Sequence, residues 1–144
     1  MQIKRNAQAH WEGAGKTGKG TLTSDSAVLN QTQYSFNTRF EDGVGTTPEE
    51  RVAAAHAGCY SMAPNATLEA NGFVPIKVAT EGNCTVEKIG DGMSITKLKL
   101  VTRAVVPNIS SEKFLELAEA TKTGCIVSKA LASVPMELDA ALEG

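Results

Sequence analysis

The sequence predicts an α+β fold in a single domain, residues 1–144, with strand-forming runs segregated from two main helices. Three observations carry this reading. A proline-glutamate helix start at Thr47-Pro48-Glu49-Glu50 opens a long stretch of helical spacing, and two β-branched runs flank the turn Gly90-Asp91-Gly92. There is also no strand–helix repeat and no phosphate-loop or dinucleotide glycine fingerprint, so a parallel α/β sheet is not expected. A chain of 144 residues can bury roughly two-thirds of the surface it exposes when unfolded, enough for its own core.

From Ala7 to Phe40 the signals are β. Gly18 to Ser24 and Tyr34 to Phe40 are short polar and aromatic runs with turn residues Asn30 and Gln31 between them, predicting hairpins or a meander. At Thr47 the threonine can cap a helix, Pro48 suits its first position and Glu50 stands three residues after the cap. Val52, Ala55, Cys59, Met62, Ala63 and Ala66 then recur at three- and four-residue intervals, an apolar stripe expected to face inward, and Asn71-Gly72 marks its end. Pro64 lies inside this helix, where its ring conflicts with the Tyr60 carbonyl and costs about 3 kcal/mol, so a kink is expected one turn beyond Cys59.

Pro75 to Glu87 and Met93 to Val105 read as a second hairpin. Ser110 or Ser111 can cap a helix through Phe114, Leu115 and Ala118, which should break near Thr123-Gly124. Cys125 to Ala132 reads as a short helix capped by Thr123. That would put Cys125 in a first turn, where unpaired N–H groups favour a thiolate. Met136 to Ala140 alternates as a closing strand.

Fourteen Lys and Arg against 16 Asp and Glu give a net charge of −2 with no basic stripe, which argues against nucleic acid as a partner. The N-terminus has no apolar signal core and no stretch approaches membrane length, so the expectation is a cytoplasmic protein with no membrane partner. Three cysteines, Cys59, Cys84 and Cys125, are an odd number at wide spacing and do not suggest a structural disulfide framework. Any pair that bridges would do so as chemistry. Cys84, in the run Glu81 to Val86, reads as an inert strand residue. Cys59 lies among small residues, Ala53 to Gly58, which suit either substrate access or tight helix packing, and the residues alone leave both open.

The segments Ala9-His10-Trp11-Glu12-Gly13, Phe36-Asn37-Thr38-Arg39-Phe40, Thr47-Pro48-Glu49-Glu50, Ala54-Ala55-His56-Ala57-Gly58-Cys59-Tyr60-Ser61-Met62 and Gly124-Cys125 together resemble the OsmC branch of the OsmC/Ohr family, across essentially the whole chain and in its order. The resemblance implies antiparallel sheets around a central helix and an intertwined homodimer with active sites at its interface. It also implies a thiol peroxidase that reduces organic hydroperoxides, with Cys59 as the peroxidatic cysteine and Cys125 as the resolving one. Arg39 and Glu49 correspond to the pair that activates the thiolate and binds peroxide. No cofactor is implied, only a dithiol of the lipoyl type as co-substrate. The sequence departs from the family's usual pattern at Pro64-Asn65-Ala66-Thr67 and at Ile126, where relatives carry proline after the resolving cysteine.

Physical chemistry fits these roles. An unperturbed thiol with a pKa of about 8.5 is only about 3% thiolate at pH 7, so a nearby cation is needed. The Arg39 guanidinium stays charged and offers forked donors, and Glu49 can orient it. Without the resemblance, Arg39 could equally be an exposed partner of Glu41 or Asp42, and Glu49 a favourable charge in a helix's first turn. Ten residues of helix place Glu49 about 15 Å from Cys59 along the axis, too far for contact. Antiparallel packing of two central helices across a twofold axis would bring Glu49 of one protomer to Cys59 of the other. The apolar character of the stripe predicts bulky organic hydroperoxides over hydrogen peroxide as substrates. Two rival readings use His56-x-x-Cys59, which shares one helical face: a metal-binding module, or a Cys–His hydrolase with His56 as base.

Overall fold

In the computed structural model, which describes residues 1–143, the chain divides after Arg51 into two units. The first begins with a three-stranded antiparallel sheet, β1 (Ala7–Glu12), β2 (Lys19–Ser24) and β3 (Thr32–Tyr34). Trp11, Gly20 and Tyr34 stand in one row across it, and the two rings tilt together at 5.5 Å. Gly20 makes that closure possible, since a Cβ there would lie 2.6 Å from both rings.

The run Tyr34 to Phe40, expected as strand, is helix from its third residue: α1 spans Phe36–Phe40. A reciprocal cap outweighs β-propensity here, with the Thr38 N–H donating to Ser35 Oγ and the Ser35 N–H to Thr38 Oγ1. The Thr38 hydroxyl is also within hydrogen-bonding distance of the Thr46 carbonyl, at 3.0 Å, so the following loop is tied back to α1.

Helix α2 (Pro48–Ala70) starts where the sequence places it, the Glu50 N–H donating to Thr47 Oγ1. The Glu50 carboxylate accepts from the Thr46 hydroxyl. The helix runs uninterrupted through Pro64. Pro64 leaves only the Tyr60 carbonyl without its helical donor, and next to it Asn65 donates its side-chain amide to the carbonyls of Ser61 and Met62.

The buried face of α2 differs from the expected stripe. His56, Tyr60, Pro64 and Leu68 are buried, whereas Ala55, Met62 and Ala66 are exposed and Cys59 lies half-buried at the border. A stripe of alanines carries little transfer free energy, and burying the larger Tyr60 and Leu68 decides the rotation. The two polar members are satisfied inside, Tyr60 donating to the Ala118 carbonyl and His56 meeting Ser128.

In the second unit, β4 (Lys77–Ile89) and β5 (Gly92–Val105) form the expected hairpin, turning at Gly90, whose φ of 60° suits glycine. At Gly82 the sheet approaches α2 closely: a Cβ would come within 2.5 Å of the Ala53 carbonyl oxygen. Helix α3 (Ser111–Gly124) is capped by Ser110, and α4 (Ile126–Ala130) follows. They return the chain so that β6 (Met136–Leu142) joins β5 in parallel, making this sheet mixed. One core gathers Leu68, Ala104, Val106, Phe114, Leu117 and Ala118, and a second gathers Tyr60, Leu100 and Cys125. No helix of the described residues is long and apolar enough to cross a membrane.

Candidate active site

The residues singled out from the sequence fall into two groups, one in each unit. In the first, Arg39 in the last turn of α1 meets Glu49 in the first turn of α2. Nε and Nη2 of the guanidinium donate to the same carboxylate oxygen, Oε1, at 2.8 and 2.6 Å. Arg39 is 40% exposed and Glu49 only 12%. The second carboxylate oxygen, Oε2, is buried without a hydrogen-bond partner. The pairing with Glu41 or Asp42 is therefore not the one formed. Arg39 also lies over the Phe40 ring at 5.1 Å and lines a cavity of about 300 Å³ with Trp11, Gly15, Tyr34, Ser35, Phe36 and Phe40. The result is a fixed cation beside an aromatic hollow, its carboxylate partner holding a buried acceptor without a hydrogen bond.

In the second unit, Cys59 and Cys125 come together across 66 residues of sequence, the Cys125 thiol donating to Cys59 with sulfurs 2.7 Å apart. A disulfide bond length of about 2.05 Å is thus a small displacement away. Cys59 is half-buried and Cys125 is 1% exposed, so Cys59 is the sulfur within reach of a solute.

Cys125 sits at the junction of two helices, closing α3 and opening α4. The expected cap at Thr123 is not made: its hydroxyl donates back to the Ala120 carbonyl. With φ −62° and ψ 127°, Cys125 itself takes the extended geometry of a cap residue. Backbone N–H groups after the junction consequently face the sulfurs, those of Val127 and Ile126 toward Cys59 and those of Ser128 and Val127 toward Cys125.

The two thiols titrate as a pair, and the proton between them can stand on either sulfur. Burial opposes the charge on Cys125, but its hydrogen bonds with Cys59, with the Ser128 N–H and hydroxyl and with the Val127 N–H together hold it below the ordinary thiol value. Cys59 is held above that value, by burial first and then by its hydrogen bond with Cys125. The surroundings of the pair thus favour the charge on the buried sulfur.

His56 serves neither rival reading. Its Nε2 is engaged by the Ser128 hydroxyl at 2.8 Å and its Nδ1 is buried without a partner, so neither ring nitrogen is bonded to Cys59. Burial lowers its pKa from the ordinary 6.5 and keeps the ring neutral. Among the described residues no three His, Cys, Asp or Glu side chains gather to hold a metal ion. Ser128 is the site residue that sequence reading missed. Its position three residues after Cys125 was visible, but nothing in the sequence shows that it meets a histidine 72 residues away.

A family model described as OsmC-like protein matches residues 40–139. The chain is 45% identical over 131 residues to Peroxiredoxin OsmC of Escherichia coli (strain K12), covering 91% of this chain and 92% of that one, and equally similar to Peroxiredoxin OsmC of Shigella flexneri. Among solved structures, the organic hydroperoxide resistance protein OhrB of Bacillus subtilis aligns over 96% of this chain and 98% of its own, with a TM-score of 0.70 and 26% identity. An OsmC-like protein of Mycoplasma pneumoniae shares the fold over all of both chains, with a TM-score of 0.75 at 16% identity. On the match to its family model and the identity to its curated relatives, the chain belongs to the OsmC-like protein family.

Proposed function

We propose that the protein is a cytoplasmic thiol peroxidase that reduces organic hydroperoxides to alcohols, with Cys59 as nucleophile and Cys125 as its disulfide partner. The observation that carries this reading is the 2.7 Å approach of a reachable sulfur to a buried one. A hydrolase would have no use for the second thiol. The names of the relatives, a peroxiredoxin and an organic hydroperoxide resistance protein, point the same way.

In the proposed cycle the Cys59 thiolate attacks one peroxide oxygen, the O–O bond breaks and the alcohol leaves, giving a sulfenic acid on Cys59. Cys125 displaces the hydroxyl from that sulfur, forming the disulfide and water. A dithiol of the lipoyl class restores both thiols by exchange, and no bound cofactor takes part.

Arg39 is the proposed cation that draws the charge onto Cys59, with Glu49 holding the guanidinium and its unpartnered Oε2 accepting from the hydroperoxide O–H. We place the Arg39–Glu49 pair of one protomer at the Cys59 of the other in a homodimer. The exposed apolar positions Met62 and Ile126, on the segments that carry the cysteines, support a covering second chain. The aromatic hollow beside Arg39 favours a bulky apolar substituent on the peroxide.

The decisive experiment treats reduced protein with cumene hydroperoxide and maps disulfides by mass spectrometry. A Cys59–Cys125 link without a mass change at Cys84 is expected; a stable Cys59 sulfinic acid with no link would refute the two-cysteine cycle. A kcat/KM greater for hydrogen peroxide than for cumene hydroperoxide would remove the substrate assignment. A fully active monomer in analytical ultracentrifugation would remove the shared site.

A further inference from the structure

We propose that His56 and Ser128 form a positioning pair for Cys125, in which the imidazole holds the Ser128 hydroxyl as a donor to the Cys125 sulfur and thereby speeds closure of the disulfide. The inference rests on the peroxidase reading and adds residues to its second chemical step.

The geometry starts from burial. His56, Ser128 and Cys125 are 1%, 4% and 1% exposed, so each polar atom among them must find its partner inside. The His56 Nε2 to Ser128 Oγ distance is 2.8 Å, and Ser128 stands one helical turn after Cys125, its side chain a hydrogen-bonding neighbour of that sulfur. A hydroxyl has one proton. If Ser128 gives it to sulfur, then Nε2 of His56 carries the imidazole proton and donates to Ser128 Oγ, leaving Nδ1 as a bare acceptor. That is the nitrogen without a partner. A buried bare acceptor costs less than a buried unpaired N–H, so the orphaned atom favours the direction His56 to Ser128 to Cys125.

The arrangement is more than a way of filling space. A serine inside a helical turn ordinarily turns its hydroxyl back to a carbonyl three or four residues earlier. Ser128 also lines a cavity of about 570 Å³ shared with Lys122, Lys129 and Ser133, where water could compete for the same proton. A donor from His56 occupies the serine oxygen and leaves the sulfur as the direction for its hydrogen.

The step served is balanced within the protein. A lone pair of Cys125 sulfur attacks Cys59 sulfur, the S–O bond of the sulfenic acid breaks, and the departing hydroxyl takes the Cys125 thiol proton and leaves as water. As that proton departs, negative charge grows on a sulfur walled off from solvent. The Ser128 hydroxyl meets it without reorganisation, the condition under which a hydrogen bond lowers a barrier most.

Single-turnover mixing of the full-length protein with one equivalent of cumene hydroperoxide, quenched with a dimedone-type sulfenic acid trap, resolves the two steps. In Ser128→Ala, disulfide closure should slow at least tenfold, with sulfenic acid accumulating and excess peroxide carrying it to sulfinic acid. Attack on the peroxide should change less than threefold. Ser128→Thr keeps the hydroxyl and should restore closure to within threefold of wild type. His56→Leu should slow closure, whereas His56→Gln, which keeps a donor near the position of Nε2, should recover most of the rate. Closure in Ser128→Ala as fast as in wild type overturns the proposal. Equal slowing of both steps, unrescued by threonine, overturns it too, since a purely structural role would act in that way. The wild-type arm reports separately on the underlying reading: if it yields neither sulfenic acid nor disulfide, the peroxidase assignment itself fails.

Discussion

The Arg39–Glu49 pair and the Cys59–Cys125 pair are built in opposite ways. The ion pair joins residues ten apart in sequence, Arg39 is substantially exposed, and two locally capped helices place the groups, Arg39 at the end of α1 and Glu49 at the start of α2. The sulfur pair joins residues 66 apart, one of them fully buried, and exists only because α2 and the α3–α4 junction pack together in the second unit. The first is a charge held in place by local structure, the second a reactive contact held in place by a core. Each lacks what the other supplies. The sulfurs left to themselves favour the charge on the buried partner, and the guanidinium has a carboxylate but no nucleophile. In the proposed function the two are combined across the dimer.

The sharpest way to break that comparison is to remove the reachable sulfur. Cys59→Ser should lower kcat/KM for cumene hydroperoxide by about a thousandfold or more, because an alcohol at neutral pH is a far weaker nucleophile than a thiolate. The melting temperature should hardly move. Cys125→Ser is next: multiple turnover with a dithiol reductant should fall about a hundredfold while one equivalent of peroxide is still consumed, since the first step needs only Cys59. Unchanged steady-state turnover would show that the buried sulfur is a bystander.

The ion pair should matter to rate and little to stability. Glu49→Gln and Arg39→Lys should each cost about tenfold or more in kcat/KM by loosening a forked, fixed donor. Their effect on unfolding free energy should stay within about 1 kcal/mol, as expected of a partly exposed ion pair. A large loss of stability would mean that the pair is structural.

The core beneath the sulfurs should behave in reverse. Tyr60→Phe leaves the Ala118 carbonyl without the tyrosine donor and should destabilise by about 1–3 kcal/mol in urea unfolding, with a smaller effect on chemistry. The smallest expected effect is on pH dependence. The folded pKa of His56 lies below its ordinary 6.5, so the unfolded chain takes up this proton first as pH falls. The associated stability is complete above about pH 6.5 and is lost progressively below it, toward the folded pKa. His56→Gln should flatten that part of a stability-against-pH curve, and an unaltered slope would show that another group titrates there.

Much of the fold was legible because its signals are local. The Thr47-Pro48 start, the Gly90 turn, the Ser110 cap and the alternation of Met136 to Ala140 all form at the expected places. Misreadings arose where two local signals competed or where packing chose between faces. Phe36 to Phe40 has strand composition, yet the Ser35–Thr38 cap made it helix. The alanine-rich stripe of α2 suggested an inward face, yet burying Tyr60 and Leu68 rotated the helix so that Met62 is exposed and Cys59 lies at the edge. Cys125 was expected inside a helix and proved to be the joint between two.

What the sequence by itself determined was the class of fold, the places of its long helix, its second hairpin and its closing strand and, through resemblance, the family and the candidate site residues. Caps, turns and periodicity act over a few residues, and a chain read in order displays them. Tertiary structure alone decided that the two sulfurs meet, that the burial and hydrogen bonds around them favour charge on Cys125, and that His56 turns to Ser128 rather than to Cys59. Those outcomes depend on contacts across 66 and 72 residues, whose geometry is set by how whole helices pack and not by any stretch of neighbouring residues.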